Sequence, residues 1–263
     1  MKYTIIFYMF ICFTVNAHTT DELNAVASSH KMFQYFEDGQ IKGPSAEIFK
    51  MLMLQTGIKT KVKFYPWARA FSSVSSQPNT IILSLTRTKE RESNFVWLIK
   101  VNESKRAFIS LKTKPDNFVS NIAQAKNKLV AATRDSYSYT SLIEKGFTED
   151  KNLYVVSTID NAISLFKNGK VDLIYTDPEV MKNHYSDIGK ISSQIVNITE
   201  VAEAQRDIFI AINKQTNKNL LEKLQQASKT VSQSARYFEI FRVLGFDPAL
   251  QRLNSPTGTR PSI

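Results

Sequence analysis

Short apolar runs rich in β-branched residues alternate with segments of helical periodicity, and this alternation limits the fold more than any other feature of the chain. The clearest helix runs from Thr158 to Asn168, where apolar residues recur every three to four positions. Gly169 follows where helices commonly end, and the apolar run 171–175 predicts a strand. Alternation of this kind predicts an α/β fold.

The same pattern continues through most of the remaining chain. Further strands are predicted at 23–28, 61–65, 80–85, 129–133, 153–156 and 206–213, and further helices at 44–55, 67–76, 138–145 and 220–231. After Gly245 the periodicity disappears, while Pro, Ser, Thr and Arg accumulate. We therefore expect residues 248–263 to form a flexible C-terminal tail.

The N-terminus has the three-part layout of a secretory signal peptide. Lys2 supplies a short positive end, an apolar run covers 3–15, and Val-Asn-Ala at 15–17 is a small-x-small cleavage site. The run is too short to span a membrane comfortably, and a buried N-terminal helix or strand is the plainer alternative. We expect cleavage after Ala17 and a periplasmic mature protein that begins at His18.

The composition argues against several kinds of catalytic site. The only cysteine, Cys12, lies in the signal segment, so the mature chain has no disulfide and no thiolate. The eight glycines are not clustered as a phosphate-binding loop requires. The three histidines are far apart, and neither HExxH nor GxSxG spacing occurs. We expect no cofactor and no metal, and no pattern requires catalysis.

The charge distribution favours a solvated basic surface over a nucleic-acid interface. The formal net charge is +10, which becomes +9 when Lys2 leaves with the signal segment. The basic residues are spread along the chain with acidic residues among them, and no block of five like charges occurs. Because the chain is also expected to be exported, we predict no nucleic-acid partner.

Three segments together carry a recognisable signature. They are FYPWARA at 64–70, SLTRTKER at 84–91 with FVW shortly after it, and GKVDLIYTD at 169–177. In this order and spacing the chain resembles the family 3 extracellular solute-binding proteins over roughly 23–246. The resemblance implies a two-lobed periplasmic-binding-protein-like fold, with a mixed sheet flanked by helices in each lobe and two hinge crossovers.

The resemblance also implies how the chain is divided. Lobe 1 would consist of 18–110 and 206–247, and lobe 2 of 111–205, with crossovers near Ser110–Lys112 and Glu200–Gln205. A monomer would capture an amino acid or related small carboxylate between the lobes and present it to a membrane permease, as in ABC-type uptake. A ligand-sensing module for a membrane kinase and a dehydratase-like enzyme on the same fold are the alternatives.

Two charged residues match ligand-binding positions of the family. Arg91 would hold the ligand's α-carboxylate, because a guanidinium presents a planar fork of donors to a carboxylate. Asp177 would receive the α-ammonium group. Each has a plainer interpretation, since a lone arginine is usually solvated and Asp177 precedes Pro178 as a helix N-cap does.

Four hydroxyl-bearing residues match positions around the ligand. Ser84 and Thr86 would complete its hydrogen bonds, although local bonds to the backbone explain them equally well. Ser136 and Tyr137 lie before a predicted helix, where amide groups would meet the ligand carboxylate. This loop departs from the family: Asp135 replaces a glycine and weakens anion capture, and Tyr137 replaces a small residue and narrows the cleft.

Three aromatic residues match the family's cleft walls. Phe33 and Tyr35 correspond to an aromatic loop after the first strand, and Trp67 corresponds to a position beside the ligand side chain. Their faces would stack on an apolar or cationic group, each contact being worth about 0.5–2 kcal/mol. Core packing is at least as good an explanation for Phe33.

Overall fold

The computed structural model describes residues 22–181, 196–201 and 205–243. The predicted signal peptide, its cleavage site and the predicted tail lie outside the described residues. The strands are β1 Asn24–Ala27, β2 Tyr35–Glu37, β3 Gln40–Lys42, β4 Val62–Phe64, β5 Thr80–Thr86, β6 Phe95–Ser104, β7 Ala107–Leu111, β8 Val130–Thr133, β9 Leu153–Val156, β10 Leu173–Thr176, β11 Val196–Glu200 and β12 Arg206–Asn213. The α-helices with both ends described are α1 Pro44–Thr56, α2 Trp67–Ser76, α3 Ile122–Ala125, α4 Tyr137–Glu144, α5 Ile159–Lys167, α6 Lys218–Ser232 and α7 Ala235–Val243.

The first sheet combines the two ends of the described chain in the order β4-β1-β5-β12-β6. β1 runs parallel to β4 and β5, while β12 is antiparallel to β5 and β6. Both faces of the sheet are covered, because Ile81 of β5 joins a core with Leu52 of α1, and the next residue, Ile82, joins a core with Val74 of α2. This double burial explains why β5 is apolar on both faces.

The second sheet is built from the middle of the chain in the order β11-β7-β10-β8-β9. β8 is parallel to β9 and β10, and β7 is antiparallel to β10 and β11. Its core includes Phe108 and Tyr175, whose ring centroids lie 4.7 Å apart. The predicted α/β architecture with two helix-flanked sheets is therefore confirmed.

The chain passes between the two sheets at two places. β6 stays paired with β12 as far as Ser104, and Ala107 already pairs in the second sheet. The expected crossover at Ser110–Lys112 thus falls at the far end of β7, and we correct the crossing to the residues between Ser104 and Ala107. No glycine or proline marks the change of sheet over 95–111, so the pattern offers no signal for it. The second passage joins the end of β11 to the start of β12.

Within the described part of the chain, no helix is both long and apolar enough to cross a membrane.

Candidate functional site

A cavity of about 110 Å³ is lined by residues from the elements of both sheets, and we call it the central cavity. Most of its lining residues are polar but uncharged. The hydroxyl-bearing residues among them are Ser28, Ser29, Ser84, Thr86, Thr133, Ser136, Tyr137, Ser138 and Thr176. Such a wall offers many neutral hydrogen bonds to a small polar molecule.

Strand ends place several of these hydroxyls. Thr86 ends β5, Thr133 ends β8 and Thr176 ends β10. The carboxyl ends of strands in open α/β sheets are where ligands commonly bind. Ser84, deeper in β5, donates to Gln34 Oε1 at 2.5 Å and lies 2.9 Å from Ser45 Oγ, so part of the wall is held by its own hydrogen bonds.

The start of α4 forms another part of the wall. Ser136 caps the helix, and its hydroxyl accepts from the backbone N–H of Tyr139 at 3.2 Å. Asp135, just before it, has a positive φ of 57°, which turns the chain into the helix. Its carbonyl accepts a 2.9 Å bond from Trp67 Nε1, which joins the helix after β4 to the α4 loop.

His30 is a neutral wall residue with an unsatisfied atom. Its ring stacks on Phe33 with the centroids 4.4 Å apart. Nδ1 is buried and has no hydrogen-bond partner among the described residues. Burial first, and the nearby charge of Arg106 second, lower the pKa of His30 from 6.5 to about 4, so the imidazole is uncharged at neutral pH.

Arg106 carries the one charged side chain among the described wall residues. It lies in the first passage between the sheets, where Nη1 donates to the carbonyl of Lys105 at 2.8 Å and to the hydroxyl of Ser104. Its guanidinium carbon is 5.2 Å from the centroid of the Tyr137 ring. A guanidinium in this position adds positive potential to an otherwise neutral cavity.

The structure brings six of the residues matched to the family into this wall. They are Phe33, Trp67, Ser84, Thr86, Ser136 and Tyr137. Residues that sequence reasoning missed complete it, above all His30, Gln34 and Arg106. Placing the crossover at 105–106 would have made Arg106 a candidate site residue. His30 and Gln34 lie in an irregular loop, where the sequence has no periodicity or motif that predicts a site.

Arg91 is not part of the described wall of the central cavity. Its Nη1 donates to the carbonyl of Thr86 at 3.0 Å, and its guanidinium lies 4.7 Å from the Phe71 ring centroid. Burial is the main cause that lowers its pKa to about 10. Arg91 lines a neighbouring cleft of about 700 Å³ instead, because its short 3₁₀ turn directs it towards α2. It is also not the solvated surface arginine of the plainer interpretation.

Asp177 and Tyr35 likewise lie outside the described wall. Asp177 Oδ2 accepts from the Ser104 hydroxyl at 2.8 Å and the Lys105 N–H at 3.1 Å. Oδ1 accepts from the N–H of Glu179 at 2.9 Å, as expected of a helix N-cap. Tyr35 begins β2, which forms a small hairpin with β3, and no residue of the two strands lines the cavity. Ligand roles for Arg91, Asp177 and Tyr35 stay predictions.

Comparison with family models identifies one match, to the bacterial extracellular solute-binding proteins, family 3, over residues 24–243. The chain belongs to this family. The match includes both sheets and every described residue of the central cavity, and it agrees with the resemblance carried by the three sequence segments. A comparison with curated proteins found no match.

Solved structures with the same fold are arrangements of two lobes. The arginine-, lysine-, histidine-binding protein ArtJ of Geobacillus stearothermophilus is 22% identical, with a TM-score of 0.73 over 88% of this chain and 100% of that chain. An ancestral arginine-binding protein bound to arginine is 19% identical, with a TM-score of 0.70 over 84% and 97%. A histidine kinase sensor domain is 14% identical, with a TM-score of 0.71 over 85% and 96%. At these identities the similarity establishes the fold.

Proposed function

We propose that this protein captures an amino acid or related small carboxylate in the central cavity, between two lobes, and presents it to a membrane permease for ABC-type uptake. The observation that carries the proposal is the central cavity itself, whose wall combines residues of both sheets and whose single described charge is Arg106. Family membership and the amino-acid-binding neighbours support it. The family and fold are those of binding proteins rather than enzymes.

The chemistry of the wall fits a small polar solute. Thr86 and Ser84 from the first sheet and Ser136 from α4 would supply hydrogen bonds from opposite sides, and Arg106 would neutralise a carboxylate. Trp67 and Phe33 would cover the apolar part of the solute.

Two hydrogen bonds would hold the lobes together over the bound solute. Trp67 Nε1 donates to the Asp135 carbonyl at 2.9 Å, and Arg206 Nε donates to the Tyr137 hydroxyl at 3.2 Å. Both connect elements of the first sheet to the start of α4, so they exist only when the lobes are close. Asp177, which bonds to Ser104 and Lys105 at the first passage, would act as an anchor of the hinge. Ligand binding would shift the population towards this closed form by its differential affinity.

The test is a thermal-shift screen of the purified protein against amino acids and small organic acids. A ligand at 100 times its Kd adds about 2.7 kcal/mol of stability, which raises the Tm by about 2–4 °C in a protein of this size. A hit is then titrated by calorimetry with Arg106→Gln and Arg91→Gln. Loss of affinity in Arg106→Gln supports the central cavity as the binding site. Loss of affinity in Arg91→Gln alone supports Arg91, the position matched to the family, as the residue that binds the carboxylate.

A matched control keeps this comparison sharp. Arg236 on α7 is exposed and pairs with Glu239, and neither residue lines the described cavity wall, so Arg236→Gln removes the same charge from a surface ion pair and should leave the Kd unchanged. A protein in which all three variants bind like the parent, or in which no small acid or amino acid shifts the Tm, contradicts the proposal.

A second candidate function is ligand sensing for a membrane kinase. It is favoured by the histidine kinase sensor domain among the structural neighbours. Co-purification of the ligand-loaded protein with a permease supports uptake, and co-purification with a kinase supports sensing. The expected export is checked separately by mass spectrometry of the secreted protein, which should begin at His18.

A further inference from the structure

An open groove lies on the surface beside the edge of the first sheet, apart from the central cavity. It has a volume of about 760 Å³ between α1, the hairpin β2–β3 and the edge strand β4, and we call it the edge groove. None of its described lining residues belongs to the central cavity. Six of them are apolar and at least partly exposed: Phe36, Ile41, Met53, Leu54, Ile58 and Val62.

Two of these apolar side chains protrude into solvent. Leu54 is 86% exposed and Phe36 is 62% exposed. Leu54 ends the apolar run Met51–Leu54 of α1, and because a helix turns about 100° per residue, only Leu52 of this run is fully buried in the core. Single exposed apolar residues are common on protein surfaces, whereas several that share one groove form a contiguous patch of the kind that marks a binding surface.

The rim of the edge groove is positively charged. Lys50, Lys59 and Lys61 line it, and no aspartate or glutamate does so among the described residues. Lys50 pairs with Glu47 at 2.8 Å, but Lys59 and Lys61 are exposed and form no ion pair with the part of the chain that the structure describes. Lysine beside an edge strand also discourages unwanted strand pairing, which accounts for Lys61 but not for the exposed apolar side chains on α1 and the hairpin.

Acidic residues next to the groove reduce this charge without cancelling it. In the hairpin, Glu37 and Asp38 share Lys42, whose Nζ lies 2.6 and 2.9 Å from their carboxylates, so one negative charge is in excess there. The two lysines without ion-pair partners outweigh it. The whole chain has a formal net charge of +10, so the rest of the molecule also attracts an anionic partner over longer distances.

Protruding apolar side chains next to unpaired lysines match the surface of an anionic bilayer. Apolar side chains enter the boundary between headgroups and acyl chains, while lysines are attracted to the negative surface. A peptide partner matches less well, because the side chains that dominate protein interfaces fit into enclosed pockets, whereas Leu54 projects into solvent. The open edge of β4 also offers only three residues to an added strand.

We propose that the edge groove is a docking surface for an anionic phospholipid bilayer. Leu54 and Phe36 insert at the interface, and Lys59 and Lys61 lie against the lipid phosphates. Docking of this kind is reversible, because few side chains insert and the lysine contribution is screened by salt. It keeps the protein close to the membrane and leaves the central cavity free to take up a solute.

Vesicle sedimentation tests this proposal. Protein purified after export, with its N-terminus checked by mass spectrometry, is mixed with vesicles of phosphatidylcholine alone or of phosphatidylcholine and phosphatidylglycerol in equal parts. We expect the protein to bind the phosphatidylglycerol vesicles at least about ten times more tightly, with an affinity that falls as salt is added. Equal binding to the two kinds of vesicle, or no binding to those with phosphatidylglycerol, overturns the proposal.

Variants of the groove locate the contact. The double variant Lys59→Gln, Lys61→Gln should bind phosphatidylglycerol vesicles about 25-fold more weakly, since each lysine near an anionic surface contributes about fivefold. Leu54→Ser should weaken binding about tenfold, because a serine gains little from entering the interface. All three positions are exposed or on the rim, and circular dichroism checks that each variant is folded.

Matched controls remove the same groups elsewhere. Lys151 and Lys170 are exposed and have no ion pair among the described residues, so Lys151→Gln with Lys170→Gln removes the same net charge. Phe118 is 51% exposed and lies outside the edge groove, so Phe118→Ser removes a comparable apolar side chain. Losses in these controls as large as in the groove variants overturn the proposal, because binding would then follow net charge or hydrophobicity alone.

A protein partner would give a different pattern. If the groove variants lose co-purification with a membrane protein while the parent shows no affinity for vesicles, the edge groove is a protein interface and the proposal is overturned. The proposed function is measured separately, because Leu54→Ser should leave the Kd of the captured solute unchanged.

Discussion

Replacing His30 should flatten the dependence of stability on pH between about 6.5 and 4. The pKa of His30 is lowered from 6.5 to about 4, chiefly by burial and secondly by Arg106. In the unfolded chain the imidazole takes up a proton below 6.5, while in the folded protein it stays neutral down to about 4. Stability is therefore fully present above 6.5 and is lost as the pH falls towards 4.

The size of the effect follows from the two pKa values. Lowering the pKa from 6.5 to about 4 corresponds to roughly 3 kcal/mol of unfolding free energy when the loss is complete. The other charged groups near the ring, Lys31 and Asp160, line a small cavity beside it and are retained in the variants. The other two histidines, His18 and His184, are present in parent and variants alike, so their contributions cancel in the difference.

Urea denaturation of the parent, His30→Phe and His30→Gln at pH 7.5 and pH 4.5 measures this difference. His30→Phe keeps an aromatic ring to stack on Phe33, and His30→Gln keeps a polar neutral group, so the pair separates packing from titration. Both variants should lose about 2–3 kcal/mol less than the parent on acidification. Parallel losses in all three proteins would refute the buried neutral imidazole.

Three further outcomes are expected. Gly39→Ala should cost about 1 kcal/mol because φ is 76°, and Gly43→Ala should cost clearly more in urea denaturation, since φ is 103° and a Cβ would lie 2.6 Å from a backbone oxygen. Trp67→Phe should remove the bond to the Asp135 carbonyl and weaken ligand affinity several-fold, with a larger radius of gyration in small-angle scattering when ligand is bound. Asp177→Asn should reduce the free energy of unfolding by about 1–3 kcal/mol and so lower the Tm, while the Kd of a bound acid changes less than threefold. A greater loss of affinity would support the predicted ligand role of Asp177.

The regular elements were largely predictable because their causes are local. Helix α5 was predicted at Thr158–Asn168, and the structure places it at Ile159–Lys167 with the Thr158 hydroxyl capping it at 3.2 Å. The spacing of its apolar residues, its N-cap and the glycine after its C-terminus all lie within about a dozen consecutive residues, so the sequence alone predicts this helix. β5 was predictable for the same reason. The hairpin β2–β3 and the strands β6, β7 and β11 were missed. The hairpin and β11 are short and partly exposed and carry little apolar signal, whereas β6 mixes polar with apolar residues and no glycine or proline separates it from β7.

By itself, the sequence determined the α/β class, and its three motif segments indicated the family. Six residues of the cavity wall were candidates through that family resemblance, and only the structure shows that they lie together. Only the tertiary structure decided which charge faces the cavity. Arg91 and Asp177 match family positions, yet both are engaged elsewhere. The Arg91 guanidinium lies against the Phe71 ring, and the Asp177 carboxylate accepts a hydrogen bond from Ser104 at the first passage between the sheets. Arg106 enters the wall because the chain changes sheets next to it. Which charged side chain lines the cavity depends on contacts between residues that are distant in sequence, and the periodicity along the chain does not predict those contacts.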